Sequence, residues 1–155
     1  MKKVYIVAIC LVFSAILGFR FVTNEKGSHD VDPKVKAEVL KALDDYMTTF
    51  NAKDAKAWQA TYHFPHYRLA RGKMSVLETA TLDSTTFIRL EKTGWHHSKW
   101  DHRNIIQASD TKVHVDTQFS RYKSDGTKLG VYESLYVVTK ENGRWGVKLR
   151  SSYAE

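Results

Sequence analysis

From Ser98 onward the chain is almost unbroken β-strand, and this constrains the fold more than any other feature. Strands are expected at 98–108, 112–122, 130–140 and 144–153, with turns at Ser109-Asp110, Asp125-Gly126 and Asn142-Gly143. Turns this short join antiparallel neighbours, and Asn-Gly readily adopts the left-handed backbone of a two-residue hairpin. A meander of four long strands has one face that must be covered by something else.

The cover is encoded upstream. Asp32 reads as an N-cap and Pro33 as the first residue of a helix. Val35, Val39, Leu40, Leu43, Tyr46, Met47 and Phe50 recur at spacings of one, three and four, which puts them along one helical face. Asn51-Ala52-Lys53 ends that helix, and Asp54 caps a second, short one running through Trp58 to about Ala60. Residues 62–70 and 73–79 read as two strands joined at Arg71-Gly72. Asp83 or Ser84 caps a third helix carrying Phe87, Ile88 and Leu90, which Gly94 stops. The fold class is therefore α+β: a curved antiparallel or mixed sheet wrapped on three helices from the N-terminal half.

Alternation assigns the faces. Val113, Val115, Thr117 and Phe119 point to the core, and His114, Asp116, Gln118 and Ser120 point away from it. In the last strand Trp145, Val147, Leu149 and Tyr153 are expected inside, leaving Arg150 on the other face within reach of Glu133. Tyr132 and Tyr136 are expected outside, where they would supply a sheet surface for a homodimer.

The N-terminus reads differently. Lys2 and Lys3 precede an apolar run from Val4 to Phe19, the pattern of a signal peptide or an uncleaved membrane anchor over residues 1–22. A polar linker follows at 23–31, then one domain at 32–155. Both readings put the domain outside the cytoplasm, periplasmic or tethered to the inner membrane, with membrane contact only through residues 4–22. Cys10 is the single cysteine, so the domain folds without disulfides. Lys2, Lys3 and Arg20 account for three of the +7 formal charges, and the remainder is scattered. No basic block is present of the kind that tracks phosphates, which argues against nucleic-acid binding.

Element order, Phe50-Asn51-Ala52-Lys53-Asp54 followed by Trp58, and the closing Gly143-Arg144-Trp145-Gly146-Val147 together resemble the nuclear transport factor 2-like superfamily. That superfamily includes SnoaL-like and ketosteroid isomerase-like cones. The resemblance implies a cone-shaped fold with a cavity open at one end. It does not select a function, because enzymes, binding modules and association domains share the fold. In the isomerases an aspartate after the second helix moves the proton; here the segment is Tyr62-His63-Phe64-Pro65-His66, with imidazoles instead.

Five of the seven histidines lie in two aromatic-rich stretches, 62–67 and 94–102, and this marks them as candidate pocket walls. His63 and His66 are three apart and diverge on a regular strand; His63 is taken as the inward one. His97 with Asp101 as its orienting carboxylate completes an acid–base set. The resemblance adds Tyr46 as a donor to a developing oxyanion. Trp58, Tyr62, His66, Trp95, His96 and Trp100 are the expected ligand-binding residues. The sequence has no HExxH or CxxC motif, no glycine-rich phosphate loop and no G-x-S-x-G elbow, so no metal and no cofactor is expected. Three functions fit: a small-molecule-binding cone, a cofactor-free lyase or isomerase using His, Asp and Tyr, or a homodimerising association domain.

Overall fold

The computed structural model describes residues 31–153. The expected signal or anchor at 1–22 and nearly all of the linker lie outside the described residues. Among the described residues, no helix is long and apolar enough to cross a membrane.

Helix α1 (Pro33–Asn51) starts where the cap requires: Asp32 Oδ1 accepts from the backbone N–H of Lys34 at 2.7 Å and of Val35 at 3.3 Å. Its buried residues are Val39, Leu43, Tyr46, Met47 and Phe50, the heart of the expected stripe. Helix α2 (Ala55–Ala60) is capped by Asp54, which accepts from Ala57 N–H at 2.9 Å. Strands β1 (Tyr62–Ala70) and β2 (Lys73–Leu77) form a hairpin through Arg71 and Gly72, both at positive φ. Helix α3 (Thr85–Glu91) precedes β3 (His97–Ala108), β4 (Lys112–Tyr122), β5 (Lys128–Glu141) and β6 (Arg144–Ser152).

The six strands make one mixed sheet in the order β2-β1-β6-β5-β4-β3. Only β1 and β6 run parallel. The helices lie on the concave face, and the core is largely aromatic: Tyr46, Phe50, Trp58, Tyr62, Phe87, Trp95, Tyr136 and Trp145.

Two expected faces are reversed, each for its own reason. In β6 the register with β5 jumps between Val147 and Leu149, so Lys148 is an extra residue opposite no partner. Such a bulge flips the side-chain alternation beyond it. Trp145 and Val147 face the core as expected, but beyond Lys148 it is Arg150 and Ser152 that turn inward. Leu149 is half-buried and Tyr153 exposed, and Arg150 does not pair with Glu133. Tyr136 is also inside, at 1 % exposure, because it pairs directly with core-facing Val115 and paired residues share a face. Tyr136, expected on an outer surface, therefore cannot supply one; Tyr132 is half-buried against Phe119 at 5.4 Å.

Gly146 in β6 has no room for a side chain. A Cβ there would lie 2.9 Å from His63 Nε2, and His63 is buried and held by Thr139 Oγ1 at 2.8 Å. Gly146→Ala is expected to destabilise the domain by about 1–3 kcal/mol through overpacking, read as a lowered urea midpoint with unchanged slope.

Candidate functional site

The cone is closed at its centre. Tyr46 on α1 touches five aromatic rings, with centroids between 5.6 Å (Tyr136) and 6.5 Å (Trp100). Beside it, between Met47, Phe119 and Arg150, a cavity of only about 10 Å³ remains, room for at most one water.

The open space is nearer the mouth. A cavity of about 210 Å³ lies between α2, the β1–β2 hairpin and the segment leading into α3. Trp58, Tyr62 and Leu77 form its apolar wall; His66, Arg68, Ser75 and Asp83 are among its polar lining. Gln59 holds its roof in place, since Oε1 accepts from Thr81 N–H at 2.8 Å and Leu82 N–H at 3.1 Å. Asp83 is already engaged: its two oxygens accept from Thr85 N–H at 2.8 Å and Thr85 Oγ1 at 2.7 Å. A larger groove of about 350 Å³ runs between α1 and the β5–β6 turn. Its charges are spent on neighbours, Lys41 on Asp45 and Glu38 on Lys140.

His66 is 6 % exposed and stacks on Tyr62, with 3.9 Å between ring centroids and 9° between planes. Nδ1 lies 3.0 Å from the Val147 carbonyl. A carbonyl can only accept, so Nδ1 carries the proton and Nε2 keeps its lone pair. Nε2 has no protein partner among the described residues and is not sealed from solvent, so it is available to the cavity. Burial lowers the imidazole pKa to about 4, the Val147 hydrogen bond opposing only in part. His66 is thus neutral at pH 7.

His63 sits elsewhere. It is buried on the other side of β1, with Nδ1 2.8 Å from Thr139 Oγ1 and 3.5 Å from Glu141 Oε1, and its Nε2 has no partner among the described residues. Burial and then Arg144 lower its pKa. His96 and His97 meet through their Nδ1 atoms at 3.1 Å, and the His97 ring stacks on Tyr122 at 5.2 Å. Asp101 is exposed and accepts from Ser120 Oγ at 2.6 Å rather than from His97. Trp95 is buried against Phe50 at 5.1 Å, and its Nε1 donates to Ser98 Oγ at 3.0 Å. Trp100 Nε1 donates to the Leu43 carbonyl at 3.3 Å. Of the expected site residues, the structure brings Trp58, Tyr62 and His66 to one cavity, with Tyr46 behind Tyr62 at 6.0 Å. His63, Trp95, His96, His97, Trp100 and Asp101 do not line it.

Arginines are what sequence reasoning missed. Arg150 is 9 % exposed; Nη1 donates to Tyr46 Oη at 3.0 Å, Nη2 to Ser152 Oγ at 2.9 Å, and Nε has no partner among the described residues. Arg68 is its direct neighbour across β1–β6, and Arg121 lines the small central cavity with it. Among the described residues no carboxylate forms an ion pair with any of the three. Burial works against the Arg150 charge, but the phenols of Tyr136, Tyr46 and Tyr62 outweigh it and hold its pKa above the ordinary value. Burial likewise works to raise the Tyr46 phenol, yet Arg150 overrides it and the net shift is downward.

The family model described as NTF2-like protein (DUF6841) matches residues 37–152. No match was found among curated proteins. A protein of unknown function with a cystatin-like fold from Nostoc punctiforme superposes with a TM-score of 0.66 at 14% identity, covering 81% of this chain and 94% of its own. A ketosteroid isomerase-like protein from Erwinia carotovora atroseptica gives 0.61 at 18% identity, covering 79% of this chain and 97% of its own. A putative calcium/calmodulin dependent protein kinase II association domain from Xanthomonas campestris gives 0.58 at 15% identity, covering 76% and 86%. At such identities these likenesses establish the fold alone.

Three measurements probe this arrangement. The folded-state pKa of His66 lies below the unfolded value of 6.5, so the unfolded chain binds more protons between pH 6.5 and about 4. Stability is complete above pH 6.5 and falls as pH drops through this window, by on the order of 3 kcal/mol for His66 alone. Urea denaturation of His66→Phe is expected to show a flatter pH profile than the wild type over that range. Separately, the double variant Arg150→Met/Tyr46→Phe is expected to keep a urea midpoint at pH 7 closer to the wild type than Tyr46→Phe alone, because replacing a buried ion together with its partner leaves no stranded group. Tyr46→Phe strands Arg150 Nη1 and is expected to cost about 1–3 kcal/mol.

Proposed function

The chain belongs to this NTF2-like family, and from that premise we propose that it is a small-molecule-binding domain whose ligand occupies the mouth cavity between Trp58, Tyr62, His66 and Arg68. The observation that carries the reading is His66: it lines a cavity of about 210 Å³, and the Val147 carbonyl fixes its tautomer so that Nε2 is left as a neutral acceptor. An oriented acceptor beside a rigid aromatic wall is what a binding site needs to fix the pose of a ligand hydroxyl or amide.

Binding is favoured over proton-transfer catalysis by the same imidazole. A base with a pKa of about 4 is a weak proton acceptor near neutral pH. The remaining expected acid–base groups, His63, His97 and Asp101, do not share a cavity with it. No carboxylate orients His66, whose Nδ1 is committed to the backbone.

Ser75 provides the test. It is exposed, sits on the cavity wall and pairs across the hairpin with Arg68, so a large side chain there obstructs the space without entering the core. A thermal-shift screen of a metabolite panel is expected to yield ligands that raise the wild-type melting temperature and leave Ser75→Trp unaffected. Identical responses of the two proteins to every compound would refute the assignment of the cavity.

A further inference from the structure

Three guanidinium groups face the concave side of the sheet, and no acidic side chain among the described residues answers them. A cation taken out of water is costly unless a counter-charge compensates it. Arg150 is the extreme case, 9 % exposed with Nε unpartnered. Its neighbours are phenols and a serine hydroxyl, which solvate the charge but do not neutralise it. Arg121 is in the same position: its guanidinium lies over the Tyr132 ring at 4.5 Å, and its Nε is also without a partner among the described residues.

Arg68 is the member of the set that a ligand can reach. It is half-buried on the wall of the mouth cavity, directly beside Arg150 in the sheet, and none of its side-chain nitrogens is hydrogen-bonded among the described residues. Arg150 and Arg89 both act on it electrostatically as like charges. Arg68, with Arg150 behind it, puts positive charge on the floor of the cavity; Asp83, the carboxylate among its lining residues, keeps its negative charge but is bonded to Thr85 and pairs with neither arginine among the described residues. The opposite wall is apolar, formed by Trp58, Tyr62 and Leu77.

Resting on the binding reading above, we propose that the ligand is a small organic carboxylate, its anionic end paired with Arg68 and its ring or chain packed against Trp58 and Tyr62. Size supports a single ring. The cavity of about 210 Å³ is below the roughly 300–1,000 Å³ of drug-sized sites, while a cavity of roughly 150 Å³ takes up benzene. Guanidinium pairs a carboxylate through two parallel N–H donors, and an Arg68 free of other bonds has that fork available. Arg150 stays behind it as a buried charge that deepens the potential; the central cavity of about 10 Å³ leaves no room for the ligand to reach it. His66 Nε2, an acceptor, receives a hydroxyl from the ligand and does not face its carboxylate.

The test is calorimetric titration of the domain at pH 7 with benzoate, with benzamide as a neutral isostere, and with inorganic phosphate. Benzoate is expected to bind at least tenfold more tightly than benzamide, and phosphate more weakly than benzoate because it has nothing to lay against Trp58. Arg68→Gln is expected to remove the preference for benzoate, while Arg68→Lys retains it in part; circular dichroism checks that both variants fold. Equal binding of benzoate and benzamide, with both lost in Ser75→Trp, would overturn the carboxylate and leave the binding cavity standing. Phosphate binding as tightly as benzoate, an Arg68→Gln variant that binds benzoate like the wild type, or no benzoate binding at millimolar concentration would each overturn it as well.

Discussion

One extra residue, Lys148, decides what the interior of this cone contains. Without the bulge, β6 would continue its alternation past Val147 and turn Leu149 inward. With it, Arg150 enters the core and lies between the ring of Tyr46 and the strands that carry Tyr136 and Phe119. A guanidinium can be accepted there because its flat faces pack on aromatic rings while its edge donates hydrogen bonds. Tyr46 and Ser152 take two of those bonds. The surrounding aromatic core then has a second purpose beyond burial: it holds the phenols that stabilise a cation far from water.

The same low-polarity environment treats imidazole and guanidinium in opposite ways. Desolvation opposes the charged form of both. For His66, with a reference value near neutrality, burial is enough to leave the ring uncharged at pH 7. For Arg68 and Arg121 burial also lowers the pKa, but from so high a value that the charge persists. Adjacent residues of one strand face thus become a neutral acceptor and a cation. That division of labour is set by depth and residue type, with no acid–base partner required.

Much of the fold was legible because it depends on patterns with a fixed period. The capped helix from Pro33, the hairpin at Arg71-Gly72 and the turn at Asn142-Gly143 all follow from local chemistry, and the structure has each of them. Tyr136 was recoverable in principle, since register against Val115 fixes its face, but register is a non-local fact. The site was less legible. Tyr62, Phe64, His66, Arg68 and Ala70 share parity along β1, and that signal points to His66 and Arg68 over His63. Arg150 left no such trace, because a bulge inverts parity at a position that nothing in the local sequence marks. His97 and Asp101 failed to converge for a related reason: Asp101 is itself the unpaired residue of a bulge in β3, aimed at Ser120.

The relatives that share this architecture share little of its sequence, so the interior chemistry has to be argued from this chain alone. Its centre is filled by rings and its mouth is not, and the difference comes from where the helices end. Helix α2 stops at Ala60, and the chain from there to α3 spans the hairpin before returning over it. Gln59, buried at the end of that short helix, ties the returning segment down through Thr81 and Leu82. The gap beneath that segment is bounded by a strand that puts His66 and Arg68 beside Tyr62 in its lining. A cavity left for want of filling would be lined by apolar side chains and stay dry. This one presents a bare imidazole nitrogen and an arginine without an ion pair among the described residues, groups whose burial is costly and which a ligand carrying both a hydroxyl and an anionic end would satisfy together.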